Sequence, residues 1–466
     1  MSGKNALNPF GKKDFRNSDI RGTLKVALAV NFLVLAAVGV GAVECSTHST
    51  VIKASAHDVN LESMQTNQIV RLKEFLLGIY DRLPWRILTI TEPIIHLLKS
   101  IISFLLDIRV DALIYCCQLN PVKEPLLILY IGKKGQKKFV MDFSGATVLS
   151  SLPLRHLFFW QIFRYLEKIK ITRDLTIVHI NSVFYRLSEL KGFFNTPDYV
   201  RSILYFSKVF QGIKKQFKGN ALRKIQKVCD LKYTWSVFFD KAALDHFYFE
   251  MYRPYITKRF GERAIIDSYQ KVKRLIETGF LVIVQKEGQR MAAAICRVRN
   301  NTLVFELVGV EKGKLEYLNE GAFDALYYYC ILIAYEKKCS SIDFGKSRPF
   351  LDGGLIRYKN LWGSTLVPNK KQYKILGVRI HDPNKTIGKG LLEQHLIFFD
   401  KGGLSSLLFL ADEAPIHLKY MEQLKKRYHS PGIMHLYAWA PKGFDQEVLQ
   451  YERRSLDEVP GAFSLD

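Results

Sequence analysis

The chain has 466 residues, of which 48% are hydrophobic, 24% charged and 13% aromatic. At roughly 100–200 residues per domain, this length predicts two or three domains, and the composition excludes collagen, a coiled-coil rod and a disordered chain. The net charge of +24 favours anionic partners such as RNA, an acidic membrane surface or phosphorylated cofactors. A soluble enzyme with a basic surface remains open on charge alone.

The amino end combines a basic stretch with an apolar run. Residues 26–43 are apolar except for Asn31, and six Lys or Arg residues precede them. This is the pattern of a signal peptide or signal anchor, and 18 residues are just enough to span a bilayer. A buried helix is the alternative. A single crossing would place the remainder outside the cytoplasm, whereas a second crossing would return it to the cytoplasmic face of the membrane.

A second apolar region, at 69–108, has helical spacing around Pro84 and Pro93. Its last part, 94–108, carries His96, Lys99 and Asp107 among bulky aliphatic residues, which makes it short and charged for a membrane span. An interfacial helix, a re-entrant hairpin and a cap on the core are all compatible with it.

Strands and helices alternate after residue 111. We predict a strand at 126–131 with a hairpin partner at 138–143, a helix at 154–169, a strand at 175–180 and a helix at 209–228. The next unit has strands at 235–239, 280–286, 291–298, 303–310 and 341–344, with helices at 242–259, 268–278 and 322–337. Short strands at 365–367 and 372–376 follow. Residues 404–439 predict a terminal strand–helix–strand addition.

Several common catalytic motifs are absent from the sequence. It contains no GxxxxGK[ST], HExxH or GxSxG, and no GxGxxG after a strand. The seven cysteines are scattered without a CxxC pair, and the histidines show no metal-ligand spacing, so we predict neither a disulfide scaffold nor a metal site. A kinase, a Rossmann dehydrogenase and a zinc or serine hydrolase are therefore disfavoured.

The stretch 341–363 is a candidate site. An apolar strand carries Asp343 and breaks at Gly345, and Ser347 and Arg348 follow. After Gly353-Gly354 comes a short amphipathic segment with Tyr358, Lys359 and Trp362. Glycines allow a ligand to approach the backbone closely, and Ser and Arg side chains can bind an anion or a carbonyl. A plain strand–turn–helix with a satisfied aspartate is the alternative.

A second candidate is the basic stretch 201–228, which contains eight Lys or Arg residues and no acid. Arg223 and Lys227 lie in its helical part. A basic helix with one apolar face can bind phosphates or an anionic membrane, although a solvated surface helix has the same pattern.

These two stretches together resemble the GNAT-fold N-acyltransferases, and in particular the subgroup related to the Fem-type aminoacyltransferases. The matching pieces are Arg223-Lys-Ile-Gln-Lys227, Asp343-Phe-Gly-Lys-Ser347, Gly354-Leu-Ile-Arg-Tyr-Lys359 and Leu-Trp-Gly363, in the family's order. The resemblance covers about 200–380 well and 110–200 weakly. It implies an α/β (α+β) fold with tandem GNAT-like halves, whose mixed, mostly antiparallel sheets are flanked by helices, behind an N-terminal hydrophobic helical segment.

The resemblance, which does not include residues 1–110 or 385–466, predicts a domain organisation when it is combined with the apolar patterns at the amino end and the predicted elements at the carboxyl end. Residues 1–110 would hold the basic N-terminus, the membrane segment and amphipathic helices; 111–205 a degenerate first GNAT-like half; 206–385 the acyltransferase domain; and 386–466 a C-terminal strand–helix–strand extension.

The activity that the resemblance implies is acyl transfer to an amine of a small molecule, lipid or cell-envelope precursor, with no metal. The acyl donor would be acyl-CoA or, as an alternative, aminoacyl-tRNA, and an anionic membrane surface is an expected partner. The family's pyrophosphate loop is not found, and the nearest piece is Leu318-Asn-Glu-Gly-Ala322, with Asn319 and Gly321. A non-catalytic membrane-associated protein with a degenerate GNAT fold is therefore a further alternative.

The resemblance assigns roles to individual residues. Asp343 and Glu306 are the expected catalytic residues. Glu306 is selected because a base often lies on the strand before the main helix in this fold. A buried Glu306 would have a raised pKa that suits a base, whereas an ion-paired or edge-exposed Glu306 would not. The expected substrate or cofactor contacts are Arg223, Lys227, Asn319, Gly321, Gly345, Ser347, Arg348, Tyr358, Lys359 and Trp362.

Overall fold

The computed structural model describes residues 107–118, 125–133, 140, 147–187, 190, 192–207, 209–261, 264–369, 374–381, 395–400, 403–410, 418–439 and 462–464. The apolar run at 26–43 and the stretch 94–106 lie outside them, as does most of the predicted strand at 138–143. In the described part of the chain, no helix is both long and apolar enough to cross a membrane.

The first sheet has six strands in the order β3-β1-β2-β4-β13-β5. These are β1 (Arg109–Gln118), β2 (Pro125–Gly132), β3 (Thr147–Phe158), β4 (Leu175–Asn181), β5 (Phe194–Pro197) and β13 (Lys374–Ile380). Strands β2 and β4 are parallel, and the other described neighbours are antiparallel. A 3-10 turn at Phe159–Gln161, helix α1 (Ile162–Lys168) and helix α2 (Ser182–Leu187) accompany this sheet.

The second sheet has seven strands in the order β12-β6-β11-β10-β9-β8-β7. These are β6 (Val200–Tyr205), β7 (Thr234–Phe238), β8 (Phe280–Lys286), β9 (Gln289–Arg299), β10 (Thr302–Val310), β11 (Ser341–Ser347) and β12 (Thr365–Pro368). Strands β10 and β11 are parallel, and the other described neighbours are antiparallel.

Helices flank the second sheet. They are α3 (Phe210–Lys214), α4 (Ala221–Asp230), α5 (Lys241–His246), α6 (Arg253–Phe260), α7 (Tyr269–Glu277), α8 (Glu316–Glu320), α9 (Ala322–Glu336) and α10 (Gly354–Leu361). A π-helical turn, Phe247–Tyr252, joins α5 to α6, and a 3-10 turn, Glu311–Gly313, follows β10. The mixed α/β class predicted from the sequence is confirmed.

The two sheets exchange one strand each. Strand β6 follows the first-sheet strand β5 in the chain but inserts between β11 and β12, and β13 follows the second-sheet strand β12 but inserts between β4 and β5. Both sheets thus have a parallel pair, then an inserted antiparallel strand, then a short edge strand. Strand β6 lies within the predicted region 111–205 but pairs in the second sheet, and β13 lies within 206–385 but pairs in the first sheet. The boundaries predicted at 205 and 385 therefore do not separate the two sheets.

The core of the second half lies between its sheet and helices α4 and α9. Helix α9 is apolar on nearly all sides, with Ala325, Cys330 and Ile331 inaccessible to solvent, because the sheet covers one side and α4 packs on another. Helix α4 buries one stripe, Ile225 and Val228. Full burial of each large aliphatic side chain stabilises the fold by about 1.5–3 kcal/mol.

A third sheet lies in the C-terminal region, in the order β14-β15-β16-β17. It consists of β14 (Leu396–Asp400), β15 (Gly403–Phe409), β16 (Ile433–Trp439) and β17 (Ala462–Ser464), with helix α11 (Leu418–Tyr428) between β15 and β16. This confirms the predicted strand–helix–strand unit. Its core includes Leu404, Leu408 and Met421 together with Ile356 of α10 and Leu366 of β12. The C-terminal sheet therefore packs against α10 and β12.

Two predicted helices differ from the structure. The helix predicted at 154–169 is wrong in its first part, because 147–158 is strand β3, which pairs with β1, and α1 begins only at Ile162. The helix predicted at 209–228 is two helices. It breaks before α4, where Gly219 has a φ of +54° and the Lys218 N–H donates to the carbonyl of Leu361 instead of continuing the helix.

Candidate functional site

The second sheet opens between β10 and β11. The parallel pairing covers only Thr302–Val304 with Ser341–Asp343, and a bulge interrupts β10 between Phe305 and Leu307. On its other side, β11 loses its register with β6 between Asp343 and Lys346. The backbone of β11 around Gly345, which has a φ of +79°, is therefore released from the ladder at this point. Its carbonyl groups need other partners.

Lys359 supplies these partners. Its side chain is 2% exposed, and its Nζ contacts the carbonyl oxygens of Gly345 (3.0 Å) and Lys346 (3.1 Å) and the Oγ of Ser347 (2.9 Å). Burial lowers the pKa of Lys359 to about 7, with Asp343 raising the pKa and Arg201 lowering it as smaller influences. The structure thus brings together three of the predicted residues, Gly345, Ser347 and Lys359.

Asp343 is held in an ion pair. Its Oδ2 accepts hydrogen bonds from Arg201, at 2.6 Å from Nε and 2.5 Å from Nη2, and its Oδ1 accepts the backbone N–H of Gly345 at 2.8 Å. Arg201 comes from the exchanged strand β6. These contacts fix the turn at Gly345, and they leave Asp343 engaged on both oxygens. Sequence reasoning did not select Arg201 as a site residue, because it lies more than 140 positions before Asp343.

Glu306 occupies the bulge of β10 and is also paired. Its Oε1 accepts from Nε of Arg297 at 2.8 Å and from Nη2 of the same side chain, while Arg297 donates a further hydrogen bond to Thr278. The side chain of Glu306 is 22% exposed. This is the ion-paired arrangement that the sequence analysis left open, so Glu306 is not poised as an unpaired base.

Tyr358 and Trp362 belong to an aromatic cluster under the site. Trp362 is fully buried, and its ring lies 6.0 Å from that of Tyr327 and 5.7 Å from that of Phe217. The Tyr358 hydroxyl donates to Asp324 at 2.8 Å, and burial raises the pKa of Tyr358. Both residues position α10, and with it Lys359.

The beginning of helix α9 already carries a negative charge. Gly321, with a φ of +104°, ends α8 and begins α9, and Asp324 lies in the first turn of α9. Lys224 of α4 contacts both carboxylate oxygens of Asp324, at 2.9 and 3.0 Å. The first turn of a helix favours an anion. In this chain the buried carboxylate of Asp324 already lies there.

The other predicted contact residues lie around the same helix and at the end of β11. Lys227 donates to the carbonyl of Asn319 at 3.2 Å, and Arg223 is exposed on α4. The Arg348 guanidinium lies 4.4 Å from the ring centroid of Tyr199, in the segment that links β5 to β6. Lys227, Asn319 and Gly321 therefore lie together at the start of α9, apart from the contacts of Lys359.

No metal centre is visible in the part of the chain that the structure describes: no three His, Cys, Asp or Glu side chains lie close enough to hold an ion. The candidate site thus consists of an opened pair of parallel strands, a buried lysine with a lowered pKa and a hydroxyl in contact with it. Lys359 and Ser347 are both buried, at 2% and 3% exposure, and a lysine with a lowered pKa in contact with a hydroxyl can accept and return a proton.

No protein-family model matches the chain, and no curated protein matches it. Solved structures do match. A FemX crystal structure is 11% identical, with a TM-score of 0.31, and the alignment covers 57% of this chain and 83% of FemX. The structure of L-PGS from Bacillus licheniformis is 14% identical, with a TM-score of 0.29, over 58% of this chain and 84% of L-PGS.

A GCN5-related N-acetyltransferase-like protein from Streptococcus suis is 15% identical, with a TM-score of 0.22, over 58% of this chain and 83% of that protein. The structures similar to this chain thus include proteins of both the Fem and the GNAT type, the groups that the motifs resemble.

Proposed function

We propose that the chain is an N-acyltransferase that transfers an acyl group from an activated ester to an amine of a small molecule, lipid or cell-envelope precursor. The observation that carries this proposal is the set of contacts of Lys359 beside the opening between β10 and β11. A neutral amine has two N–H donors and one lone pair. When Lys359 is neutral, Nζ can donate to the two carbonyl oxygens and accept from the Ser347 hydroxyl; when it is protonated, Nζ donates to all three oxygens, so the same contacts serve both protonation states.

The proposed reaction uses Ser347 and Lys359 as a proton relay. The acceptor amine attacks the carbonyl carbon of the donor, and a C–N bond forms. The proton of the amine passes to the Ser347 hydroxyl while the hydroxyl proton passes to neutral Lys359. The C–O bond (or C–S bond, in a thioester) of the donor then breaks, and the leaving group takes the proton back along the same route. Asp343 and Arg201 hold the turn that carries these groups.

The start of α9 favours one donor class. An acyl-CoA carries a diphosphate, and the ion pair of Asp324 and Lys224 already occupies the first turn of α9, where a diphosphate would otherwise bind. The basic segment at 201–228 instead offers exposed cations such as Arg223 to an RNA backbone. We therefore favour an aminoacyl ester of tRNA over acyl-CoA as the donor.

Labelled donors test the activity. The full chain is incubated with either labelled acetyl-CoA or tRNA charged with labelled amino acids, together with a lipid and envelope-precursor extract. We expect an alkali-resistant labelled amide from aminoacyl-tRNA, because amides survive the alkali that hydrolyses esters. Lys359→Met should reduce its formation by about 100-fold or more, and the exposed-lysine variant Lys273→Met should not. If neither donor yields an amide, the chain is the non-catalytic alternative.

Calorimetry tests the donor class separately. We expect no binding of acetyl-CoA or of longer acyl-CoAs to the full chain, and binding of tRNA that weakens as salt increases. Micromolar binding of any acyl-CoA would overturn the preference for tRNA without affecting the acyl-transfer proposal.

A further inference from the structure

One side of the helical segment 159–168 in the first half is both aromatic and basic. Trp160 is 59% exposed and Phe163 is 41% exposed. Residues three and four positions apart lie on one side of a helix, so Trp160, Phe163 and Arg164 share a face, and Lys168 extends it by one turn. Arg164 and Lys168 are also exposed. We call these four residues the Trp160 face.

The aromatic part of this face is held firmly by the core. The Trp160 ring stacks on Phe158 with 4.6 Å between centroids and meets the edge of Phe159 at 5.0 Å. Phe159 in turn stacks at 4.1 Å on Phe184, which is 1% exposed. Trp160 is therefore the solvent-exposed member of a series of stacked aromatic rings that extends into the core. Its exposed ring is held in place by these ring contacts. Val183, next to Phe184 on α2, is 49% exposed.

The charges around this face are mainly positive. The Lys and Arg residues within 147–187 are Arg155, Arg164, Lys168, Lys170, Arg173 and Arg186, whereas the acids are Glu167 and Asp174. Asp174 is buried and accepts the N–H of Leu127, so it does not offset the surface charge. Glu167 is exposed, lies three positions from Arg164 on the same side of α1, and offsets one of these positive charges. An exposed tryptophan with lysines and arginines around it matches the boundary of an anionic bilayer, where the ring enters the headgroup layer and the cations meet lipid phosphates.

The sequence provides a second argument that this face contacts lipid. The apolar stretch 94–106 leads into β1, and the carbonyl of Ile108 accepts the N–H of Phe159 at 3.0 Å. One of the two apolar regions of the sequence thus joins the described fold next to the Trp160 face. We infer that the Trp160 face docks on the surface of an anionic bilayer. This inference does not depend on the acyl-transfer proposal.

Fluorescence quenching tests the contact of Trp160 with lipid. The full chain is mixed with phosphatidylglycerol vesicles whose acyl chains carry bromine, which quenches tryptophan at close range. In a Trp85→Phe background, which removes the tryptophan of the apolar region 69–108, we expect quenching that is largely lost in Trp160→Phe. Quenching should be retained in the control Trp235→Phe, which removes a tryptophan of the second sheet. If Trp160→Phe is quenched as strongly as the Trp85→Phe background alone, Trp160 does not enter the bilayer and the inference is overturned. This would be the outcome if another protein or residues 1–106 cover the face.

A second pair of variants tests the charge. Each Lys or Arg near an anionic surface contributes roughly fivefold to binding. Arg164→Gln/Lys168→Gln should therefore weaken the phosphatidylglycerol binding read from the Trp160 quenching by about 30-fold. The control Lys258→Gln/Lys273→Gln, which neutralises two exposed lysines of the second half, should leave it unchanged. Equal effects of the two pairs, or equal quenching by phosphatidylcholine, would contradict a charge-directed face.

Discussion

Lys359 differs from an ordinary lysine in both its burial and its partners. A fully desolvated ammonium is costly, and the three contacts of Nζ compensate for only part of that cost, which is why its pKa falls to about 7. Near neutral pH the side chain therefore exists in both protonation states. This is the condition under which a general base works best.

The pH dependence of the reaction follows from this value. The relay needs neutral Lys359, so we expect kcat to rise with pH through about 7 and to level off above it. Lys359→Arg should be inactive across this range, because the guanidinium stays protonated. Single-turnover rates measured from pH 5.5 to 9 check both points. A rate that falls as the pH rises through 7 would show that the protonated form acts instead.

The pair of Arg201 and Asp343 has a second measurable consequence. Arg201→Ala leaves the carboxylate of Asp343, 6% exposed, without its cation, and we expect a loss of about 3 kcal/mol in the free energy of unfolding. Arg201→Ala/Asp343→Ala should cost less than the sum of the two single changes, by about 1–3 kcal/mol. Urea unfolding of the four proteins gives the coupling. Strict additivity would mean that the pair contributes nothing to the fold.

The lowered pKa of His381 predicts that the fold is less stable in acid. Its Nε2 accepts from Arg173 (3.2 Å) and lies 2.8 Å from Oγ1 of Thr176, and burial lowers the pKa of His381 to about 4, below the ordinary 6.5. The unfolded chain therefore binds the proton more readily, so stability present above pH 6.5 is lost as the pH falls from 6.5 to 4. Because the imidazole is partly exposed, we expect a loss of about 1–2 kcal/mol. Urea unfolding at pH 7.5 and 4.5 measures it, and His381→Asn should flatten the difference.

The sequence analysis selected Gly345, Ser347 and Lys359 as substrate or cofactor contacts, and it did not anticipate that Lys359 contacts the other two. The spacing from Gly345 to Lys359 spans one strand, one turn and one helix, so local geometry brings Gly345, Ser347 and Lys359 together. The partners of Asp343 and Glu306 depend on pairing between strands. Arg297 is nine positions from Glu306 on the neighbouring strand of a hairpin, whereas Arg201 requires the insertion of β6, which no local pattern indicates.

Among the elements, α10 depends on the C-terminal sheet. The Leu366 N–H donates to the carbonyl of Pro431 at 2.7 Å, and Asn360 donates to Ser430 at 2.8 Å. Gly432, at a φ of +91°, lies so close to β12 that an added Cβ would be 1.9 Å from the carbonyl oxygen of Leu366. The approach of these two segments therefore requires glycine at 432.

Two glycine substitutions distinguish the stability cost of losing this close approach from the cost of an unfavourable backbone conformation. Gly288 has a similar φ of +77° but open space around it. We expect Gly288→Ala to cost about 1 kcal/mol, from the left-handed backbone alone, and Gly432→Ala to cost at least about 2 kcal/mol more. Thermal unfolding of both variants measures the difference. Equal losses would show that the C-terminal sheet can shift away from β12 at little cost.

The sequence predicted elements well where burial imposes a period. Strand β4, buried throughout, and the hairpin of β8 and β9 were found close to their bounds, because apolar runs flanked by turn residues have few alternatives. Strand β3 was mistaken for part of a helix. It is an edge strand that exposes most of its residues, so no alternating burial marks it, and only the pairing with β1 makes it a strand.

Across the whole molecule, the strand exchange makes the two halves interdependent. Without β13, strands β4 and β5 of the first half have no partner between them, and their buried backbone groups lose the hydrogen bonds that β13 supplies. A fragment of residues 107–199 should therefore not fold. The same fragment with 374–381 appended through a flexible linker should recover a cooperative unfolding transition. Circular dichroism during urea unfolding distinguishes the two, and cooperative folding of the shorter fragment would refute the interdependence.

The exchange also constrains how such a chain can be inherited. The cation that holds Asp343 is encoded before residue 206, while the strand that completes the first sheet is encoded after residue 373. Recombination between two parental genes at any position from 206 to 373 would combine a first half from one parent with a β13 from the other. In the recombinant protein, β13 would have to pair with strands with which it had not evolved. The segment from β6 to β13 is therefore expected to pass between genomes as a unit with the first half, and homologues should seldom show either half alone.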